Sequence, residues 1–121
     1  MNKIFYLVGM LLVGFGSHAQ FVNGVPFQAI NVEYVEIKVV SGSLRFENIE
    51  IDYGQETSYL TPGKESTIRD EFGKPMNFNS KIDALNFMSQ NGYGLIEVLH
   101  DKDGAVTGYL LRNRRYQTGD R

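Results

Sequence analysis

Cysteine is absent from this 121-residue chain, and the absence excludes several classes of chemistry. No disulfide can form, although exported domains of this size often depend on them. Thiol catalysis, cysteine-ligated zinc and iron–sulfur clusters are excluded as well, and so is a lipid-modified cysteine behind a signal sequence. Packing and strand pairing must therefore hold the fold together.

The chain also has a small net charge and few histidines. The chain carries 12 basic and 14 acidic residues, for a net charge of −2, which gives no field that would attract a polyanion. We therefore expect no nucleic-acid partner. Of the two histidines, His18 lies in the N-terminal segment described next, which leaves His100 as the imidazole of the main domain.

The most apolar run, residues 4–16, is too short to cross a bilayer. It is uncharged and follows the basic start at Lys3, whereas a membrane-spanning helix needs roughly 20 residues. Small residues end the run at Ser17 and Ala19, which is the order of a secretory signal peptide over residues 1–19. We predict cleavage after Ala19, export to the periplasm or the exterior, and no stable membrane anchor afterwards.

The remainder, about 100 residues, has the size of one small domain. Lys3 is the only charge lost on cleavage, so 11 basic residues face 14 acidic ones. An aromatic share of 12% argues for a hydrophobic core rather than disorder. We predict a single domain at residues 31–113, preceded by a linker or loose first strand at 20–30 and followed by a frayed polar tail at 114–121.

Alternating apolar and polar residues predict strands in the first half of this domain. Residues 31–40 and 45–53 alternate on either side of a turn at 41–43, which indicates an antiparallel hairpin. Two shorter strands are expected at 66–70 and 75–78. The apolar positions lie on one face of each strand, and they are Val35, Ile37 and Val39 in the first and Ile49, Ile51 and Tyr53 in the second.

One helix is predicted in the second half. Ser80 is a good N-cap, Asp83 places a negative charge in the first turn, and Asn91-Gly92 ends the helix. The apolar stripe of Ile82, Leu85 and Met88, widened by Ala84 and Phe87, is expected to face the core. Strands at 95–100 and 105–112 follow, joined by a turn at 101–104. The order β-β-(β-β)-α-β-β predicts an α+β fold, with one antiparallel sheet of four to six strands and a single helix on one face.

Three stretches carry a family resemblance: residues 78–88, the turn Gly92-Tyr93-Gly94, and Tyr109-Leu110-Leu111-Arg112. Together they resemble a family of small bacterial domains of unknown function, in which a helix and a glycine-aromatic turn precede a hairpin ending in Leu-Leu-Arg or Leu-Leu-Lys. Residues 70–74 resemble a turn in exported relatives of that group. The family pattern has Gly-Trp-Glu where this chain has Gly92-Tyr93-Gly94, so no carboxylate is available there. The resemblance implies a fold and an aromatic at Tyr93, but no reaction.

Few residues offer catalytic chemistry. His100 stands beside Asp101 and Asp103 and would make a general base only with a partner nucleophile, for which there is no G-x-S-x-G motif. Glu50 and Asp52 share a strand face, as the acids of a glycosidase do, but the solvent face of an amphipathic strand explains them as well. The segment 101–104 is similar to the start of a calcium loop but lacks the distal glutamate, so a hairpin turn is favoured.

The basic residues of the tail offer a further alternative, contact with anionic lipid or polysaccharide. Charged strand ends that protect a sheet edge explain them more simply. The residues concerned are Arg112, Arg114, Arg115 and Arg121.

These observations favour a non-catalytic module that binds another envelope or secreted protein through an uncovered sheet edge. We expect no cofactor and no metal ion, and self-association into an oligomer is left open. The alternatives are a periplasmic protein that binds a glycan or small molecule through aromatic residues on the sheet face opposite the helix, and a carboxylate hydrolase. The candidate binding-surface residues are Tyr34, Tyr53, Tyr93, His100 and Arg112.

Overall fold

The computed structural model describes residues 19–56 and 65–116. The predicted signal peptide, apart from its last residue, and residues 117–121 of the predicted tail lie outside this part of the chain. The strands are β1 (Phe21–Val22), β2 (Val25–Pro26), β3 (Tyr34–Ser41), β4 (Glu47–Asp52), β5 (Ile68–Arg69), β6 (Tyr93–His100) and β7 (Val106–Asn113), with helix α1 at Lys81–Gln90 between β5 and β6. Short 3₁₀ turns lie at Phe27–Ala29 and Arg114–Tyr116.

The strands form two antiparallel sheets, of four strands in the order β4-β3-β7-β6 and of three in the order β2-β1-β5. The α+β class and the antiparallel pairing are confirmed, but the single sheet of four to six strands is not what the structure shows. The chain touches β4 at Thr67, opposite Glu50, and then turns to pair with β1 instead of extending the larger sheet. Those pairs are only two residues long, Phe21 with Arg69 and Val22 with Ile68.

The core lies between the larger sheet, the helix and the smaller sheet. Residues 20–30, for which a linker or loose strand was one expectation, form the β1–β2 hairpin and the first 3₁₀ turn, and they bury Val22, Phe27 and Ile30. The larger sheet and the helix supply most of the remaining buried side chains, which are Val35, Ile37, Ile49, Ile51, Ala84, Met88, Tyr93, Tyr109 and Leu111.

Helix α1 begins as its sequence predicts. The Ser80 hydroxyl accepts a hydrogen bond from the Asp83 main-chain N–H at 3.1 Å, and the Asp83 carboxylate accepts one from the Asn79 N–H at 2.9 Å. The inward face agrees with the prediction at Ala84 and Met88, which are buried, but not at Ile82, which is 65% exposed. At 3.6 residues per turn, Ile82 lies about 160° around the axis from Ala84, on the opposite side of the helix.

Two turns of the fold share one geometry. Asp70 Oδ1 accepts hydrogen bonds from the N–H groups two and four residues later, at 2.9 and 3.0 Å, and Asp101 Oδ1 does the same at 2.8 and 3.0 Å. The third residue after each aspartate is a glycine with positive φ, Gly73 at 80° and Gly104 at 86°. Asp101 therefore fixes the β6–β7 turn with the oxygen that the calcium interpretation would have assigned to a metal.

Neither the α-helix nor the 3₁₀ turns found in residues 19–56 and 65–116 provide a segment that is long and apolar enough to cross a membrane.

Candidate functional site

Tyr34 and Arg112 are the two predicted surface residues that the structure brings together. They lie opposite each other on β3 and β7, with the Arg112 guanidinium carbon 5.7 Å from the centre of the Tyr34 ring. Arg112 Nη2 also donates to Glu33 Oε2 at 2.6 Å. Tyr34 and Arg112 lie on the sheet face opposite the helix. Arg112 there makes an ion pair with Glu33 and a cation–π contact with Tyr34.

Tyr53 and Tyr93 do not lie on that face, so the predicted aromatic surface is wrong. Tyr53 continues the inward alternation of Ile49 and Ile51 and packs against the core. Tyr93 is 4% exposed and has ring neighbours within the core, its centroid being 6.0 Å from that of Phe27. Side chains of a strand alternate between the two sheet faces. Both tyrosines occupy positions whose side chains point toward the core.

His100 lies at the far end of β6, exposed and opposite Val106. Glu50 and Asp52 do share the outer face of β4, and the strand register places Lys38 opposite Glu50 and Glu36 opposite Asp52. Together with Ser66 these residues line a shallow cleft of about 160 Å³. Residues 19–56 and 65–116 contain no cluster of three or more histidine, aspartate or glutamate side chains that could hold a metal ion.

The two outer strands of the larger sheet differ in how they are covered. The edge of β4 is capped by main-chain hydrogen bonds, from Ile51 N–H to the Ser66 carbonyl and between Glu47 and Phe78 in both directions, each at 2.8 Å. Among the described residues, no strand pairs with the outer side of β6. Leu95 and Ile96, in the middle of that strand, are 51% and 50% exposed. The β6 edge therefore combines an open main chain with exposed apolar side chains.

A second candidate site, which we call the helix-end cleft, lies where α1 meets the start of β6 and the end of β7. Its volume is about 340 Å³. Apart from Tyr93 and Arg115, none of these residues was predicted to belong to a site. The residues that line it are Phe27, Gln28, Ile30, Gln90, Asn91, Gly92, Tyr93, Asn113 and Arg115.

Asn113 is a buried polar residue that lines this cleft. It is 3% exposed, and its Oδ1 accepts hydrogen bonds from the Arg115 main-chain N–H at 3.0 Å and from Arg115 Nε at 3.4 Å. A sequence signal for it existed, because Asn113 continues the inward alternation of Tyr109 and Leu111 on β7. A polar side chain at an inward position needs hydrogen-bond partners.

Tyr93 forms a wall of the cleft. Burial raises the pKa of its phenol above the usual 10.0, the Arg115 charge opposes that increase, and Tyr116 adds to it. The main chain around the phenol is fixed by Arg114, whose N–H donates to the Gly92 carbonyl at 2.8 Å and whose Nη1 donates to the Tyr93 carbonyl at 3.1 Å.

Comparison with known proteins does not assign a function to either site. No protein family model, no curated protein and no solved structure shows significant similarity to this chain.

Proposed function

We propose that this chain is an exported, non-catalytic binding module, and that its partner is an envelope or secreted protein that adds a β-strand to the outer edge of β6. The observation that supports the proposal is the contrast between the two outer strands. The edge of β4 is closed by hydrogen bonds to residues 66 and 78, whereas β6 has no strand partner on its outer side within the described residues.

The β6 edge offers the two contributions that strand addition requires. Alternate N–H and C=O groups of an edge strand point away from the sheet, and each main-chain hydrogen bond formed with a partner contributes about 0.5–1.5 kcal/mol net. Leu95 and Ile96 provide apolar surface beside those groups. Covering the exposed half of each side chain contributes about 1 kcal/mol.

Irregular pairing limits which partners this edge can accept. The register of β6 with β7 shifts between Leu95 and Glu97 and again between Leu99 and His100. Bulges of this kind twist an edge strand and prevent indiscriminate pairing with other sheets. The exposed Glu97 carboxylate adds a charge that a matching strand must accommodate. The same edge thus favours a selected partner over self-aggregation.

The experiment compares two isoleucine variants of the mature protein. Ile96→Lys places a charge on the β6 edge, whereas Ile82→Lys places the same charge on the exposed outer side of α1 and serves as the matched control. Each protein is used to capture crosslinked partners from an envelope extract of the source cell. Hydrogen exchange of β6 main-chain amides is then measured with and without the captured partner.

We expect the wild-type protein and Ile82→Lys to capture the same partner and Ile96→Lys to lose it. The partner should slow hydrogen exchange in β6 and leave the amides of α1 unchanged. Retention of the partner by Ile96→Lys, or protection confined to other strands, contradicts strand addition. Failure of the wild-type protein to capture any protein contradicts the proposed interaction module.

A further inference from the structure

We propose that Asn23 is a site of spontaneous modification, at which the side-chain amide is lost and an aspartate or isoaspartate residue forms. The chain contains two Asn-Gly pairs, Asn23-Gly24 and Asn91-Gly92. The structure leaves the first pair open to this reaction and protects the second. The proposal does not depend on strand addition at β6, because it concerns the turn between β1 and β2.

The reaction needs only water in addition to the protein. The main-chain nitrogen of the glycine gives its proton to hydroxide and attacks the side-chain carbonyl carbon of the asparagine. The bond to the side-chain nitrogen breaks, that nitrogen takes a proton from water and leaves as ammonia, and a cyclic imide remains. Water then opens the ring at either carbonyl, which yields aspartate or isoaspartate. Asparagine is thermally labile, and a following glycine favours the attack because it has no side chain beside the nitrogen.

Hydrogen bonds hold all three groups that would react at Asn91. Asn91 Nδ2 donates to the Phe87 carbonyl at 2.8 Å, and Asn91 Oδ1 accepts from Gln28 Nε2 at 2.6 Å. The Gly92 N–H, which contains the attacking nitrogen, donates to the Ser89 carbonyl at 3.1 Å. Closing the imide ring would break these bonds and unwind the end of α1, so this Asn-Gly pair is protected.

The corresponding groups of Asn23 and Gly24 are open to solvent. Both residues are exposed, and neither the Asn23 side chain nor the Gly24 N–H makes a hydrogen bond with the described residues. Their φ angles of 51° and 77° are those of the type I′ turn of a two-residue hairpin. In this left-handed conformation the glycine nitrogen points away from the asparagine side chain, so the turn must open before the ring can close.

Opening this turn disturbs little of the fold. β1 and β2 pair at only two positions, Phe21 with Pro26 and Val22 with Val25. Both residues of β2 are exposed, and Pro26 has no N–H to donate. β1 can stay paired with β5 while β2 moves away. Segments with few buried contacts open at a low free energy, so this turn reaches a reactive geometry more often than the end of α1 does.

The test compares the two sites within one protein. The purified protein is incubated at mildly alkaline pH, where the glycine nitrogen loses its proton more readily, and the products at each site are followed by peptide mapping and mass spectrometry. Synthetic peptides spanning residues 19–27 and 87–95 give the two rates without the fold. We expect the fold to slow the reaction of Asn91 at least about tenfold more than that of Asn23, because several hydrogen bonds must break at Asn91.

Two variants assign the difference to the observed contacts. Gln28→Ala removes the donor to Asn91 Oδ1 and should speed the reaction of Asn91; an unchanged rate at Asn23 shows that this variant is still folded. Asn23→Gln lengthens the side chain and makes ring closure slower. It should prevent the modification in the β1–β2 turn and leave the rate at Asn91 unchanged.

Equal slowing of the two sites by the fold would overturn the proposal, and so would a faster reaction at Asn91. If Asn23 stays intact in the protein after its peptide has been fully converted, then the turn does not open and the proposal is wrong. An unchanged rate at Asn91 in Gln28→Ala would contradict the protection assigned to the side-chain hydrogen bond.

Discussion

Gly108 on β7 lies against the main chain of β3, and replacing it with alanine tests the packing of the sheet directly. A Cβ atom built on this glycine would lie 2.9 Å from the Ile37 carbonyl oxygen and 3.2 Å from Glu36 Oε2. Ordinary van der Waals contacts begin near 3.4 Å. The glutamate can move away, but the Ile37 oxygen belongs to the main chain of the neighbouring strand and can retreat only if the β3–β7 pairing is distorted.

The magnitude follows from two opposing terms. Crowding in a well-packed region costs about 1–3 kcal/mol, whereas replacing glycine with alanine restricts the unfolded chain and contributes about 0.4–1 kcal/mol of stability. We expect Gly108→Ala to lower the free energy of unfolding by about 1–2 kcal/mol as a net result. For a domain of this size, each kcal/mol corresponds to a fall in Tm of about 4–8 °C.

Gly94→Ala on the neighbouring strand is the matched control. Its Cβ would find only the Arg114 side chain, at 3.8 Å or more, so this variant should be as stable as the wild-type protein or slightly more stable. Urea denaturation followed by circular dichroism measures both variants, and an unchanged m-value shows that the unfolded state is the same. If Gly108→Ala is as stable as Gly94→Ala, then the close approach of β3 and β7 described above is wrong.

Two further predictions concern the β6–β7 turn and the helix-end cleft. Asp101→Ala should lower the free energy of unfolding by about 1 kcal/mol because two main-chain N–H groups lose their acceptor; Asp103→Ala, measured by the same urea denaturation, should have almost no effect, and equal losses would refute the role of Asp101. Stability should also fall as the pH rises above 10.0, since the unfolded chain ionises Tyr93 before the folded protein does. This loss, measured by denaturation at a series of pH values, should be smaller in Tyr93→Phe, and an identical slope in both proteins would contradict the raised pKa.

Strands β3 and β4 could be predicted because the sequence alternates with the period of a strand at these positions. Val35, Ile37, Ile49 and Ile51 carry that pattern, and all four are buried. The N-terminus of α1 was equally predictable, since Ser80 makes the capping hydrogen bond expected of it. These features depend on neighbouring residues and are therefore visible in one sequence.

The parts that could not be predicted depend on contacts between distant segments. The smaller sheet pairs Phe21 with Arg69, and strands of two residues are too short to show any alternation. The choice of Ile82 for the core failed because an apolar residue at one end of a helix does not reveal how the helix is rotated on its sheet. Here the buried residues of the helix are Ala84 and Met88.

The candidate sites show the same division. Tyr34 and Arg112 were named separately, but their contact depends on the β3–β7 register, which joins residues far apart in sequence. The helix-end cleft is formed where three segments that are distant in sequence meet, namely residues 27–30, 90–93 and 113–115. The membership of the chain in the family of small bacterial domains stays a prediction, and so does its export.

The position of β3 and β7 at the centre of the larger sheet has a mechanical consequence. Tyr34 starts β3 and Arg112 lies near the end of β7, yet the two are paired, and just beyond them the Tyr116 hydroxyl donates to Asn31 Oδ1 at 3.0 Å. A pulling force applied at Asn31 and Tyr116 would therefore act at one end of this strand pair and open its hydrogen bonds one after another, instead of loading them all at once in shear. A partner attached at the β6 edge would add no hydrogen bond to this central pair, because β7 lies between β6 and β3.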